Sequence, residues 1–243
     1  MMRLPARLTA KLARVRIAQI FASAREGSLI HCVDPAVVLH PGSDAPVSRE
    51  KMRVLLANRA PVIWIGGSEP LHHPGVGHFV RAVARRGRFV FLETDGTFLG
   101  RRIHEFQPLP RLFLTVRLDS LEDSDSALAL EGLRAARLSG FFTVIRSLVH
   151  EETDLARLFS LRAFLLGNDV DGWLITGGSA EEAMRRKTAK ARGLIPSKFW
   201  RQFSEDVEEA LLTATQERVL KDAHVSLAEE PPAEAREEGV GIA

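Results

Sequence analysis

Six short apolar runs, each followed by a stretch with helical period, constrain this chain more than any other feature. They fall at 29–33, 62–65, 89–92, 112–118, 142–148 and 172–176. Runs this short, without polar alternation, suit strands covered on both faces. The intervening stretches 48–58, 75–86, 97–105, 125–139, 154–166 and 180–191 supply the covering helices. Ser48, Ser124 and Thr153 stand where helix caps belong, and Ser179 with Glu182 forms a capping-box pattern. Gly140 and Gly167 stand where helices end. Such units join parallel strands by right-handed crossovers, which predicts an α/β protein. Periodicity alone leaves an open doubly wound sheet and a barrel both standing. Six units are fewer than the eight of a closed barrel, so a partial barrel is one way to use them.

The flanks differ from the body. Residues 4–24 place Leu4, Leu8, Leu12, Val15, Ile17, Ile20 and Phe21 among Arg3, Arg7, Lys11, Arg14 and Arg16, a basic amphipathic helix. It is expected to pack on the domain, with peripheral contact to an anionic membrane or a partner as the alternative. After Pro196 a carboxyl-terminal helix is expected over 198–222, with Phe199, Phe203, Val207, Leu211 and Leu212 on its apolar positions, covering the open side of the domain. Residues 228–243 carry five Glu, one Arg and two adjacent prolines, the composition of a disordered acidic tail. The expected division is therefore 1–27, 28–195, 196–227 and 228–243. The amino-terminal 25 residues hold six Arg or Lys and no acid, against a formal charge of +2 for the whole chain, so the body is close to neutral. Any nucleic-acid footprint would be confined to the arm, and none is expected of the body. Cys32 is the only cysteine, which excludes an intrachain disulfide and any all-cysteine metal site within one chain. That usage, with no apolar run near 18 residues and no apolar core of a secretory signal, predicts a cytoplasmic protein.

In parallel α/β folds ligands bind at the carboxyl ends of the strands. Gly66, Gly67, Ser68, Glu69 and Pro70 follow the second run directly: two glycines allow close backbone approach, and Glu69 can accept hydrogen bonds from an ammonium group. Thr94, Asp95, Gly96 and Thr97 follow the third run, and Arg117 and Asp119 close the fourth. Gly177, Gly178 and Ser179 precede a helix and can present amide groups to an anion, or simply form a turn and cap. His31, Cys32, Asp34 and His40, with His72 and His73, lie near two strand ends, yet their spacing matches no strong zinc pattern. Arg185, Arg186, Lys187, Lys190 and Arg192 read as a solvated basic face. Trp173 reads as core.

IGGSEPLHHPGVGHF resembles the glycine-glycine-glutamate-proline motif of radical S-adenosylmethionine (radical SAM) proteins, which follows their second strand. Glu93-Thr94-Asp95-Gly96-Thr97 is similar to their Thr-Asn-Gly-Thr segment, and Thr115-Val116-Arg117-Leu118-Asp119-Ser120 resembles their Ser-Leu-Asp strand. The resemblance spans about residues 28–190. It implies a partial (β/α)6 barrel that binds S-adenosylmethionine, with Glu69 on the methionyl amino group, Thr94 and Asp95 at the pocket edge, and Arg117 and Asp119 on ribose or carboxylate. The family's iron-sulfur cluster needs three cysteines just after the first strand. If Cys32 takes the first place, Ala36 and Leu39 take the others, and neither ligates iron. The resemblance therefore implies no resident cluster, with Cys32 its one remnant, and a non-catalytic or accessory member working beside an intact radical SAM partner. The alternative is an enzyme that runs cluster-independent chemistry in the retained pocket or takes cluster ligands from another chain.

Overall fold

The computed structural model describes residues 2–3, 5–21, 28–40, 42, 44–122 and 126–228. The cap expected at Ser124 and the tail from 229 onward lie outside the described residues. Six strands form one sheet: β1 (Ile30–Val33), β2 (Val62–Ile65), β3 (Phe89–Thr94), β4 (Leu112–Arg117), β5 (Phe142–Val149) and β6 (Gly172–Gly177). All pairs are parallel and the spatial order follows the sequence, β1-β2-β3-β4-β5-β6. A doubly wound sheet reverses its order at a switch point. This sheet does not reverse, and it curls into a half-barrel.

Register divides the sheet into layers. Trp64 pairs with Phe91, Phe91 with Phe113, and Phe113 with Phe142. Their rings meet at 5.6, 4.5 and 4.7 Å, giving an aromatic row across four strands on the concave side. Two residues on, Glu93, Thr115, Val144 and Gly172 form the next row, and Arg117, Arg146 and Leu174 the one above. The concave side thus changes from aromatic to charged towards the carboxyl ends of the strands. The other side packs on α4 (Val76–Arg85), α6 (Ser126–Leu138) and α8 (Glu182–Arg192), with α7 (Leu155–Gly167) burying Leu158, Leu161 and Leu165. β2, β3, β4 and β6 are thereby buried along nearly their whole length, which is why their sequences lack polar alternation, while β1 and β5 keep half-buried positions.

The remaining helices are α1 (Ala6–Phe21), α2 (Pro35–Val38), α3 (Arg49–Ala57), α5 (Leu99–Arg102) and α9 (Lys198–Ala228). α1 buries Leu8 and Leu12 in the core, so the apolar stripe meets the domain, while Ile17 stays exposed. Arg3 and Arg16 pair with Asp171 and Asp206. α9 runs further than the expected stretch and packs on both edge strands, β6 and β1, covering the open side. Trp200, Phe203 and Val207 are its buried hydrophobic residues in this stretch, and Phe203 lies 5.0 Å from Phe91 in the aromatic row.

Several local expectations need correction. Ser48 caps α3 by accepting from the Lys51 N–H, but α7 is capped by Asp154, which accepts from the Ala156 N–H, while Thr153 accepts from the His150 N–H. No capping box forms at α8: Ser179 accepts from Glu181 N–H, one residue before the helix starts. Gly140 follows α6 at φ +81°, whereas Gly167 is still helical and Asp169 takes the left-handed turn at φ +49°. Residues 97–105 break into α5 and a 3-10 turn, Ile103–Glu105. β3 extends two residues beyond Leu92, and that extension builds the site. Among the described residues no helix is long and apolar enough to cross a membrane.

Candidate functional site

The glycine strip sits where the sequence places it, at the carboxyl end of β2. Gly67 has φ +106°, a conformation that favours glycine. A side chain on Gly66 would lie 2.8 Å from Glu93 Oε2, so the strip presses directly on β3. Glu69 then turns back across the strand ends. Its carboxylate accepts from Thr94 Oγ1 (2.7 Å), the Asp95 N–H (2.8 Å) and the Leu71 N–H (3.1 Å), the last as cap of the 3-10 turn Pro70–His72. Asp95 folds its own turn, accepting from the amide and hydroxyl of Thr97, and Thr94 accepts from the Gly96 N–H. Glu69 and the Thr94-Asp95-Gly96 segment, 25 residues apart, are therefore one unit.

Arg117 faces Glu69 at 3.5 Å and Glu93 at 3.9 Å, with 42% of its side chain exposed. Glu93 also accepts from Trp64 Nε1 (2.7 Å) and from Arg146, which donates to Thr176 (3.0 Å) as well. Two carboxylates and two guanidinium groups thus bridge β2, β3, β4, β5 and β6 at the rim. Arg146 and Trp64 were not singled out in the sequence, and Glu93 only as the first residue of the segment after the third run. The signal was present in β5, where an arginine interrupts a buried apolar strand and requires a counter-charge. Arg102 was missed too: it donates to the Leu71, His73 and Pro74 carbonyls and pairs with Glu105, fixing the loop after Glu69. Burial raises the Glu69 carboxyl above its ordinary range, an effect offset in part by the Asp95, Thr94 and Leu71 donors.

A carboxylate offers about four acceptor positions. Three at Glu69 are occupied by neighbouring donors, and the remaining side meets Arg117. These residues fit a cationic amino group on the condition that it takes the place Arg117 holds. Asp119 accepts from the Leu148 N–H (2.6 Å), tying the end of β4 to β5. Ser68 donates to Asp34 (2.6 Å), joining the strip to the end of β1.

The stretch after β1 does not fit a three-thiolate cluster. Cys32 lies inside the strand, opposite Trp64. Asp34 caps α2 by accepting from the Ala36 N–H (3.0 Å); Ala36 is exposed on that helix and Leu39 is buried in the core at 4% exposure. Burial, with Glu93 adding to it, pushes the Cys32 thiol up to about 12. At pH 8 it should hold about a thousandfold less thiolate than a cysteine at 9.0. Iodoacetamide labelling of the native chain is expected to be slower than that of the urea-unfolded chain by at least this order; equal rates would refute the assignment.

The remaining candidates separate. His72 is exposed, edge-on to Phe98 at 5.0 Å, while His73 is buried; among the described residues no three His, Cys, Asp or Glu side chains converge as a metal site would require. The Gly177 and Gly178 N–H groups donate to Glu208 and to the Val149 carbonyl (3.2 Å), which removes them from anion binding. The basic run is not a uniform solvated face, because Arg192 is 8% exposed, donates to the Ile175 carbonyl and pairs with Glu208 at 2.7 Å. Trp173 is core, donating to Ser147 (3.0 Å). A cavity of about 680 Å³ lies beside β1, between α1 and α9, rather than over the glycine strip.

A curled sheet of six sequential parallel strands, with a glycine-glutamate-proline strip after the second, is a radical SAM-type fold. SuiB of Streptococcus suis bound to S-adenosylmethionine matches 78% of this chain and 49% of its own at 14% identity, TM-score 0.50. Archaeal TYW1 matches 64% and 59% at 17% identity, TM-score 0.43. TYW1 with a lysine-pyruvate adduct bound matches 61% and 53% at 14% identity, TM-score 0.44. SuiB is a radical SAM enzyme, and at 14% identity its likeness to this chain is one of fold. The chain spans about half the length of the chains it matches, from 44% to 59%. No protein-family model and no curated protein matches the sequence.

Proposed function

We propose that this chain is a radical SAM-type protein without a resident iron-sulfur cluster, acting as a non-catalytic or accessory component that retains S-adenosylmethionine binding at the glycine strip. The observation that carries the reading is the contrast between two strand ends. After β2 the strip and Glu69 are assembled with the Thr94-Asp95-Gly96 segment. After β1, Ala36 and Leu39 stand where two cluster thiolates belong, one exposed on a capped helix and one in the core. A SuiB structure of the same fold holds S-adenosylmethionine, which supports that ligand. In this reading Glu69 receives the amino group as Arg117 withdraws, residues 28–195 form the binding barrel, and a separate intact radical SAM protein supplies the chemistry in a reducing compartment.

Two measurements test it. Iron and sulfide analysis after anaerobic reconstitution is expected to give no stoichiometric cluster; a four-iron cluster that cleaves S-adenosylmethionine would overturn the reading. Calorimetry is expected to show S-adenosylmethionine binding that weakens about 10- to 100-fold in Glu69→Ala, the loss of a charged hydrogen bond. Absence of binding by the wild type sinks the retained site. Glu69→Gln, which keeps an acceptor for the capped turn, separates lost binding from lost folding.

A further inference from the structure

α9 is held unevenly along its length. In its first half Trp200 covers Gly172, Phe203 lies on Phe91, Val207 is buried, and Glu208 accepts from Gly177 while pairing with Arg192. Residues 215–220 are all exposed, with Val219 and Leu220 at 62% and 61%. This part of the helix reaches back across the barrel mouth through Arg218, whose guanidinium pairs with Asp34 at 2.9 Å. Asp34 is in turn fixed by Ser68 and the Ala36 N–H. The same guanidinium lies 3.4 Å from the position a side chain would take on Gly67. A positive group thus already covers the strip.

We propose that the carboxyl-terminal half of α9 is a strap, latched by Arg218 on Asp34, that closes the glycine strip and must lift to admit a ligand. The inference rests on the reading of that strip as the S-adenosylmethionine site. Three features make the strap openable. The pair leaves 58% of the arginine side chain exposed, and ion pairs of that kind shift an equilibrium by no more than about fivefold. The hydrogen bonds of Asp34 to Ser68 and Ala36 do not involve Arg218, so they survive its departure. The 680 Å³ cavity, lined by Glu209, Thr213, Ala214 and Glu217 on α9 and by β1, leaves the helix without close packing beneath this segment. The anchored first half then serves as the fixed end.

The test compares the full-length wild type, Arg218→Ala and Arg218→Lys. Amide hydrogen exchange without ligand is expected to quicken about two- to fivefold over residues 213–220 in Arg218→Ala, with residues 199–208 unchanged and Arg218→Lys close to wild type. Calorimetry is expected to show S-adenosylmethionine binding tightened by the same factor in Arg218→Ala. Unchanged exchange in Arg218→Ala overturns the latch whether or not the ligand binds. Quicker exchange with unchanged or weaker affinity overturns the strap as a cover of the site. Quicker exchange when none of the three proteins binds S-adenosylmethionine supports the latch and refutes the ligand reading instead, so the two failures are distinguishable.

Discussion

Trp200→Ala is expected to lower the unfolding free energy by about 3–5 kcal/mol, seen as a fall in the urea midpoint. The ring is fully buried near the start of α9, against β6. It lies so close to Gly172 that a side-chain carbon there would stand 2.5 Å from it. It meets Phe199 and Phe203 edge-on at 5.1 and 6.1 Å, and its N–H donates to the Arg3 carbonyl at 3.3 Å, reaching the segment just before α1. One side chain therefore joins the last helix, the last strand and the amino-terminal arm, and its removal leaves a cavity that none of the three can fill alone. Gly172→Ala probes the same contact from the sheet side and should cost about 1–3 kcal/mol by overpacking. In the double variant the new methyl group enters the space the indole left. Its cost should fall short of the sum of the two. Additive effects, or a loss below about 1 kcal/mol for Trp200→Ala, would show that α9 is not anchored through this ring.

How legible each part was depended on the range of its interactions. The strands could be read because burial shows in runs of about four to seven neighbouring residues. The half-barrel could not be read from periodicity, because sheet order is a property of crossovers; it came from the order of motifs after the second, third and fourth strands. Caps were legible where a single candidate stood at the helix start, as at Ser48, and failed where Thr153 and Asp154 competed for one role. Glu69 and Thr94 to Gly96 were legible because each follows a strand end. Glu93 read only as the first residue of the segment after the third run. Its buried role depends on Trp64 and Arg146, 29 and 53 residues away, and nothing local announces either partner. Arg218 over Gly67 is the extreme case, since it requires the path of a helix that the motifs do not include. The basic run misled because four of its residues follow the pattern of an exposed face while Arg192, at the helix end, turns under β6 to reach Ile175 and Glu208.

Arg146→Met is expected to destabilise the fold by about 3 kcal/mol, the low end for breaking a buried pair, because Glu93 loses its close counter-charge and Arg117, 3.9 Å away, replaces it only in part. The two side chains are 12% and 5% exposed, so water cannot replace the partner that is lost. Glu93→Gln should cost less. The glutamine carbonyl still accepts from Trp64, and Arg146 keeps its hydrogen bond to Thr176, but the charge of Arg146 loses its match. Combining the two removes both charges and keeps the indole acceptor, and a well-packed neutral replacement of a buried pair is often close to neutral in stability. The double variant is therefore expected to be more stable than Arg146→Met alone, with a coupling of about 2 kcal/mol or more. Equal stability of Arg146→Met and the double variant would mean that the pair does not organise the rim. The outcome also bears on the glycine strip and the ligand proposed for it. Arg117 stands 3.9 Å from Glu93 and 3.5 Å from Glu69, shared between them. Once Arg146 is gone, Glu93 is the stronger attractor, and Arg117 should move towards it. Glu69 is then left facing the mouth with its fourth acceptor position open. On the proposed reading of the strip as an S-adenosylmethionine site, Arg146→Met should bind that ligand more tightly than wild type under conditions where both are folded, while Glu93→Gln, which leaves Glu69 as the only carboxylate for Arg117, should bind it more weakly. Opposite shifts from two substitutions in one ion pair are what a shared arginine requires, and loss of packing at the rim would move both the same way.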